Sequence, residues 1–184
     1  MTDDDLTPPA KRNVKALTAF LAELEQGDAV VATFSTERYG VFAVRGSVMY
    51  STSLAGSTLG SHPLDSNKKP QRTLQLLRTY HSAERAAAEE ALPTSPPAVG
   101  DTVAHGALLR VTFAEPAYGV FDIAGVAVHS TVDDSVLVGS WMVSTGGVVS
   151  DRVRAVEVLA EAGGHELAVP REITTWGTEA TAEV

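Results

Sequence analysis

The sequence predicts a mainly β protein with accessory helices, in which an internal duplication of two five-stranded antiparallel meanders forms tandem SH3-like small barrels. One observation is a repeat: the Tyr-Gly-Val-Phe motif of residues 39–42 returns at residues 118–121, a shift of 79 residues. Eleven of the 29 positions from Thr33 to Ser61 are identical to their counterparts after this shift. The second observation is that short β-branched and aromatic runs alternate with glycine-containing turns in both copies. A duplicated β unit accounts for both observations.

The apolar face of each meander has to be covered. Burying a Val or Phe side chain stabilises a fold by roughly 1.5 to 3 kcal/mol, and closure into a small barrel also removes exposed sheet edges. We therefore expect two small barrels packed side by side as one compact pseudo-twofold body. One combined or split β-barrel, with a helix at residues 71–91, is the alternative.

The N-terminal part of the chain precedes the first repeat. Residues 1–8 are rich in aspartate and are predicted to be a disordered acidic tail. Residues 9–26 are predicted to be an amphipathic helix, because apolar residues recur at three- and four-residue steps from Val14 to Leu24. Gly27 is a helix stop, and strand-like sequence begins directly after it.

The two β repeats are predicted at residues 27–77 and 100–160. Each contains three runs that form a meander, followed by a fourth strand. The fifth strand of the first repeat is ambiguous, since residues 72–77 also suit a helix by propensity. These residues match residues 154–159 at a shift of 82, where alternating β-branched residues favour a strand. We therefore predict strands at both places, with the single helix at 71–91 as the alternative.

Two segments lie outside the repeats. Residues 78–99 are predicted to be a helix followed by a proline-rich linker, because an Ala-rich run with Glu and Arg is followed by four prolines between residues 93 and 97 minus one Thr-Ser pair. Residues 161–184 form a weakly structured C-terminal segment, in which Trp176 is expected to pack back onto the body.

Composition excludes several classes of protein. The formal net charge of -9 opposes general phosphate binding, so a nucleic-acid partner is not favoured. The chain has no cysteine, which excludes disulfides, thiolate catalysis and cysteine-ligated zinc. An acidic start is not that of a signal peptide, and no apolar stretch has the length of a membrane span. The sequence therefore predicts a cytoplasmic protein without a membrane partner.

The repeated motif is predicted to be structural. Retention in both copies favours core roles for Phe42 and Phe121, with Tyr39 and Tyr118 as half-buried rings. A single binding site is expected where the copies differ, for example at Arg45, which is replaced by alanine in the second copy. The predicted ligand-binding residues are two such pairs of differing positions: Tyr50 with His129, and His62 with Trp141.

Two further sites are predicted with weaker motifs. A Ser- and Gly-rich loop offers hydroxyls and free amides to a phosphate, through Ser53, Gly56, Ser57 and Thr58, although it lacks the Walker lysine. A run without an intervening acid offers a basic patch, made of Lys68, Lys69, Arg72 and Arg78.

No catalytic or metal motif accompanies these sites. His129 and Ser130 lie near Asp133 and Asp134, but catalysis by such residues depends on spatial roles that adjacency does not supply. The five histidines have no metal-ligand spacing. No catalytic residue, no metal and no particular cofactor is therefore predicted.

The function predicted from the sequence is a non-enzymatic binding or regulatory β-barrel module. It would bind a protein or small-molecule partner at the interface between its halves, and a homodimer is compatible with the pattern. One alternative is a split-barrel protein that binds a flavin-type cofactor through the Ser- and Gly-rich loop. The other is a tandem small barrel that binds nucleic acid through the basic patch.

Overall fold

The computed structural model describes residues 3–92, 103–117 and 119–176 of the chain. Within them are one 3-10 helix, two α-helices and fourteen β-strands. The helices are the 3-10 helix Asp3–Leu6, α1 Val14–Glu23 and α2 Ser82–Glu90. The strands are β1 Ala29–Thr36, β2 Gly40–Ser47, β3 Met49–Ser51, β4 Gly56–Leu59, β5 His62–Pro63, β6 Asp65–Ser66, β7 Lys69–Pro70, β8 Leu74–Thr79, β9 Leu108–Ala117, β10 Val120–Ser130, β11 Ser135–Val138, β12 Trp141–Thr145, β13 Val148–Val149 and β14 Val153–Ala160.

Six antiparallel strands in the order β8-β1-β2-β10-β9-β14 form the centre of the molecule. Strand β10 is long, and only its first part lies between β2 and β9. Its end, from Ala127 to Ser130, pairs with β11, which continues into β12 and β13. Strands β3, β4 and β5 form a separate small sheet, and β6 pairs with β7 as a hairpin.

The pairing pattern of the first half recurs in the second half with the shift of 79 residues. Phe34 pairs with Leu74, and Phe113 pairs with Val153. The register shift that follows Phe34 also recurs next to Phe113. The shift of 82 that the sequence suggested for the fifth strands is therefore wrong. An odd error of three residues exchanges the two faces of a strand, and the structure pairs β14 with β9 so that Val153 faces the core.

The two halves meet where β2 pairs with β10, and this pairing is symmetric about one residue pair. Val44 lies opposite Ile123, its own counterpart at the shift of 79. On one side of this pair Ala43 lies opposite Ala124, and on the other side Arg45 lies opposite Asp122. A local pseudo-twofold axis therefore relates the two halves, and the side chains break the symmetry at Arg45 and Asp122.

One hydrophobic core covers one face of the central sheet and draws on both halves. Its fully buried members include Phe34, Phe42, Leu109 and Ile123. Helix α1 contributes Leu17 and Leu21 to the same cluster. The opposite face carries a smaller cluster, formed by Leu6, Val31, Ala43, Tyr80, Leu108, Ala124 and Val126.

The class predicted from the sequence is confirmed at its coarser level: the protein is mainly β and its sheets are antiparallel. Among the described residues the strands do not close into a barrel, since the nine-stranded sheet ends at β8, β13 and β14. Tandem SH3-like barrels are not confirmed. The alternative helix at residues 71–91 is wrong, because β8 occupies residues 74–79 and the helix begins only at Ser82.

Helix α1 is shorter than the predicted span of residues 9–26. It begins after Asn13, whose side-chain oxygen accepts a hydrogen bond from the amide of Ala16 at 3.0 Å. It ends at Glu23, because Leu24 has extended backbone. Of the part of the chain that the structure describes, no helix is long and apolar enough to cross a membrane.

The predicted disordered tail needs correction. Within residues 1–8, the structure describes a 3-10 helix whose residues Asp5 and Leu6 are buried. The carbonyl of Asp5 accepts a hydrogen bond from the hydroxyl of Thr33 at 2.7 Å. Its carboxylate accepts two from Arg78, at 2.8 and 3.0 Å. These long-range contacts, which an acidic composition does not reveal, hold the segment on the sheet.

The predicted core role is right for Phe42 and wrong for Phe121. The register of β10 shifts between Val120 and Asp122, both against β2 and against β9. Such a bulge changes the side of the sheet on which a residue lies. Val120 is consequently buried in the main core, whereas Phe121 packs at the opposite face. Tyr39 is half-buried, and Tyr118 and the proline-rich linker lie outside the described residues.

The C-terminal segment lies across the second half. The amide of Ile173 donates to the carbonyl of His129 at 2.8 Å, and the amide of Thr131 donates to the carbonyl of Ile173 at 2.9 Å. Trp176 is 44% exposed and lies under the guanidinium of Arg38, 5.2 Å from its ring centroid. The contact of this tryptophan with the body is therefore made through a surface arginine.

Candidate functional site

The four predicted ligand-binding residues lie in different surroundings. Tyr50 is 57% exposed on β3. Trp141 packs against Phe113 with a ring-centroid distance of 5.0 Å, and its indole Nε1 is buried without a hydrogen-bond partner. His62 is enclosed by core rings, and His129 lines a small pocket that contains none of the other three residues. The structure does not gather them into one pocket.

His62 is part of the aromatic core of the first half. Its ring lies 5.1 Å from Phe34 and 5.0 Å from Phe42, measured between centroids. Its Nε2 is 3.0 Å from the hydroxyl of Ser140, which belongs to the second half. Burial lowers the pKa of His62 to about 4. The ring is therefore neutral near pH 7 and joins the two halves.

His129 lines a pocket of about 280 Å³ beside the C-terminal segment. The His129 amide donates to Nδ1 of His105 at 3.2 Å, and its own Nε2 is buried without a partner. The remaining lining is mostly small hydroxyl residues and two acids, Asp134 and Glu172. In the part of the chain that the structure describes, no three His, Asp or Glu residues are grouped as metal ligands.

The predicted phosphate loop forms the hairpin between β3 and β4, with Ser53 in its turn. The Ser57 amide, which would face a phosphate, donates to Oδ1 of Asp65 at 2.6 Å. Gly56 lies against Asp65 too, since a Cβ there would be 2.4 Å from the Asp65 carbonyl oxygen. The Thr58 hydroxyl is turned to the carbonyl of Met49. A carboxylate of the protein itself thus occupies the anion position of this loop.

The predicted basic patch is divided. Lys68, Lys69 and Arg72 are exposed at or beside the β6-β7 hairpin. Arg78 instead lies between two carboxylates, those of Asp5 and Glu84, with contacts of 2.8 and 3.0 Å. Its pairing with Asp5 raises the pKa of the Arg78 guanidinium further above its ordinary value. Arg78 therefore serves to hold the 3-10 helix and α2 on the sheet.

The larger pocket, of about 380 Å³, lies on the face of the central sheet opposite the main core. Helix α2 forms one wall, and strands β2, β9, β10 and β14 form the floor. The first half supplies Arg45 and Tyr80, and the second half supplies Arg110, Asp122 and Arg154. This junction pocket is the strongest candidate for a functional site, since both halves build it.

A buried ion pair lies in the floor of the junction pocket. Nε of Arg45 donates to Oδ1 of Asp122 at 2.7 Å, and the two side chains are only 3% and 6% exposed. The Nη2 atom of Arg45 is buried and has no hydrogen-bond partner. Burial raises the pKa of the Asp122 carboxyl, although the attraction of Arg45 acts in the opposite direction. The pair is thus desolvated and incompletely satisfied.

Aromatic rings hold two arginines at the pocket wall. The guanidinium of Arg45 lies 5.2 Å from the ring centroid of Tyr80, and that of Arg85 lies 4.1 Å from that of Phe121. Such stacking restricts where a guanidinium can point. The bulge in β10 is what turns Phe121 toward this pocket and makes the second contact available.

The junction pocket was not among the sites predicted from the sequence, although one signal pointed to it. Arg45 is replaced by Ala124 at the shift of 79, and Asp122 is the counterpart of Ala43. The Arg45 difference is visible in the sequence, but its partner becomes evident only when β2 is paired with β10. Comparison of the copies at both members of each cross-strand pair would have found the site.

Comparison with known proteins adds no relative: no protein-family model matches the chain, and neither the curated proteins nor the solved structures contain a significant match.

Proposed function

We propose that the protein is a non-enzymatic binding module that takes a small molecule in the junction pocket. The observation that carries this proposal is Arg45. Its side chain is 97% buried by the complement of its 3% exposure, lines the pocket, and keeps Nη2 without an acceptor. A buried donor left unsatisfied costs about 1 to 3 kcal/mol, and more for a charged group. A ligand that accepts from this donor recovers that cost.

The size and lining of the pocket support a small molecule. A volume of about 380 Å³ falls within the range of roughly 300 to 1,000 Å³ of ligand pockets. Apolar side chains from α2 and β10, such as Ala88 and Phe121, face the charged groups of the floor. This mixture of apolar wall and few fixed polar groups is typical of sites that bind and orient a ligand.

The arrangement of charges supports binding without catalysis. Each of the three acids that line the pocket is paired with an arginine: Asp122 with Arg45, Glu89 with Arg85, and Glu157 with Arg110. A carboxylate held in this way is a poor general base, and among the described lining residues there is no histidine or serine to act as base or nucleophile.

The two alternatives predicted from the sequence receive no support from specific contacts. A flavin-type phosphate at the Ser- and Gly-rich loop would compete with Asp65 for the Ser57 amide. Nucleic acid at the basic patch would lose Arg78, which is engaged by Asp5 and Glu84. We therefore do not advance either as a second function.

Ligand-observed NMR on the full chain tests the proposal, with three sets of aromatic fragments that are anionic, neutral and cationic. We expect saturable binding of at least one set to the unmodified protein. Replacement Ala88→Trp fills the pocket from α2 and is expected to abolish that binding. Ala86→Trp on the exposed side of the same helix is the matched control and should leave it unchanged. The proposal fails if no set binds, or if Ala88→Trp binds as well as the control.

A further inference from the structure

Two unsatisfied donors point to the charge of the occupant. Besides Nη2 of Arg45, Nε of Arg110 is buried without an acceptor in the same pocket. Arg110 uses only Nη1, which donates to Glu157 at 3.1 Å. The two arginines flank β10 from opposite sides, because Arg45 pairs with Asp122 and Arg110 pairs with Ala124. Both lower the pKa of the Asp122 carboxyl by their charge, which brings both guanidiniums near one point.

The charges of the lining limit how negative the occupant can be. Four arginines line the pocket, at positions 45, 85, 110 and 154, against the three acids Glu89, Asp122 and Glu157. The formal balance is one positive charge. A single negative charge neutralises it, whereas a polyanion would bring excess charge beside three carboxylates, an unfavourable arrangement in a partly desolvated site.

The wall opposite the charges limits the rest of the molecule. Ala88, Leu92 and the Phe121 ring line the same pocket. Apolar surface that covers them contributes about 25 cal/mol for each Å² removed from water. An inorganic ion leaves this wall uncovered, so the pocket favours an occupant that has an apolar body as well as an anionic end.

We propose, on the premise that the junction pocket binds a small molecule, that its ligand is a monoanion with an apolar body, whose oxyanion accepts hydrogen bonds from Nη2 of Arg45 and Nε of Arg110. Only one such site exists in the junction. On the other side of the pseudo-twofold axis the equivalent positions are Ala43 and Ala124, which offer no donor from their side chains.

Calorimetric titration of the full chain with matched pairs of probes tests this inference. Benzoate and 2-naphthoate are compared with their neutral amides, and pyrophosphate serves as the polyanion, all at one ionic strength. We expect each carboxylate to bind at least tenfold more tightly than its amide and than pyrophosphate. Equal affinity of carboxylate and amide, or preference for pyrophosphate, overturns the inference.

Variants locate the effect in the two donors. Arg110→Met is expected to reduce the affinity for 2-naphthoate at least tenfold. The double replacement Arg45→Met with Asp122→Leu should abolish the preference for carboxylate over amide. It replaces the buried pair by apolar groups, which folds tolerate far better than loss of one partner. Arg72→Met, which removes an exposed arginine outside the pocket, is the matched control.

The outcomes separate this inference from the function on which it rests. If the preference for carboxylate survives in both pocket variants, the assignment of the donors is overturned. If amides or cationic fragments bind, are blocked by Ala88→Trp and show no preference for negative charge, the protein is a binding module and the inference is overturned. If none of the probes and fragments binds, the proposed function itself fails.

Discussion

His62 shows how one residue couples burial to pH. Two core phenylalanines surround its ring, and burial lowers its pKa from 6.5 to about 4. Below pH 6.5 the unfolded chain binds a proton at this position while the folded protein does not. The contribution of neutral His62 is therefore complete above pH 6.5 and is lost progressively as the pH falls toward 4.

We predict that His62 alone lowers the free energy of unfolding by about 2 kcal/mol between pH 7.5 and pH 5, from the linkage between the two pKa values. His62→Phe keeps a ring beside Phe34 and Phe42 but cannot titrate. Urea unfolding of both proteins at the two pH values measures the difference. Equal losses of stability in the two proteins would show that His62 does not carry this effect.

At the scale of the element, α2 combines a weak attachment with a role in the pocket. None of its residues is fully buried. Its start is secured by Glu84, whose carboxylate accepts from the amide of His81 at 3.0 Å and from Arg78 at 3.0 Å. Arg78 also holds Asp5, so one arginine fastens α2 and the 3-10 helix to β8. The wall of the pocket thus depends on a few polar contacts.

We predict that Glu84→Ala lowers the protection of the α2 amides against hydrogen exchange by about 1 kcal/mol, the usual cost of a lost helix cap. The free energy of global unfolding should change little, because the helix contributes no fully buried side chain. Glu90→Ala in the last turn of the same helix is the control and should leave exchange unchanged. Loss of global stability equal to the local loss would mean that α2 unfolds only with the whole protein.

For the whole molecule, the main question is whether two similar halves behave as one unit. Their central strands pair directly, and the main core contains residues of both. Gly139 of the second half lies against the ring of Phe42 of the first, where a Cβ would be 2.9 Å from the ring. Gly60 of the first half lies in the same way against Trp141 of the second. Close contacts in both directions favour one cooperative unfolding transition.

Two glycines with the same backbone conformation measure the contact between the halves. Gly139 and Gly146 both have φ of +56°, but a Cβ at Gly146 meets nothing within 4 Å. Alanine at either position introduces the left-handed strain of about 1 to 2 kcal/mol. We predict that Gly139→Ala destabilises the protein by a further 1 to 3 kcal/mol, roughly the cost of overpacking a core.

Urea unfolding followed by tryptophan fluorescence and by circular dichroism gives both quantities. The two probes should report one midpoint for the unmodified protein and for the Gly146→Ala control. Separate midpoints, or equal effects of the two glycine replacements, would contradict a shared core in which each half supports the other.

Much of the β framework was predictable, because the signals that specify it are local. Alternating and β-branched runs between glycine turns predicted the strands now numbered β1, β2, β9 and β10, and an Ala-rich run predicted α2. The repeat also provided the shift of 79 residues that the strand pairings follow. These properties depend on side-chain period and turn chemistry, which neighbouring residues determine.

The sequence by itself determined that the chain is mainly β and where its two similar halves begin. Only the tertiary structure decided that β2 pairs with β10, that Phe121 leaves the core and that Arg45 meets Asp122 in a pocket. These outcomes depend on register and on contacts between distant residues. A shift of one position moves a side chain to the other face of a strand, so the same residues can build a core or a binding site, and the pairing of the strands selects between them.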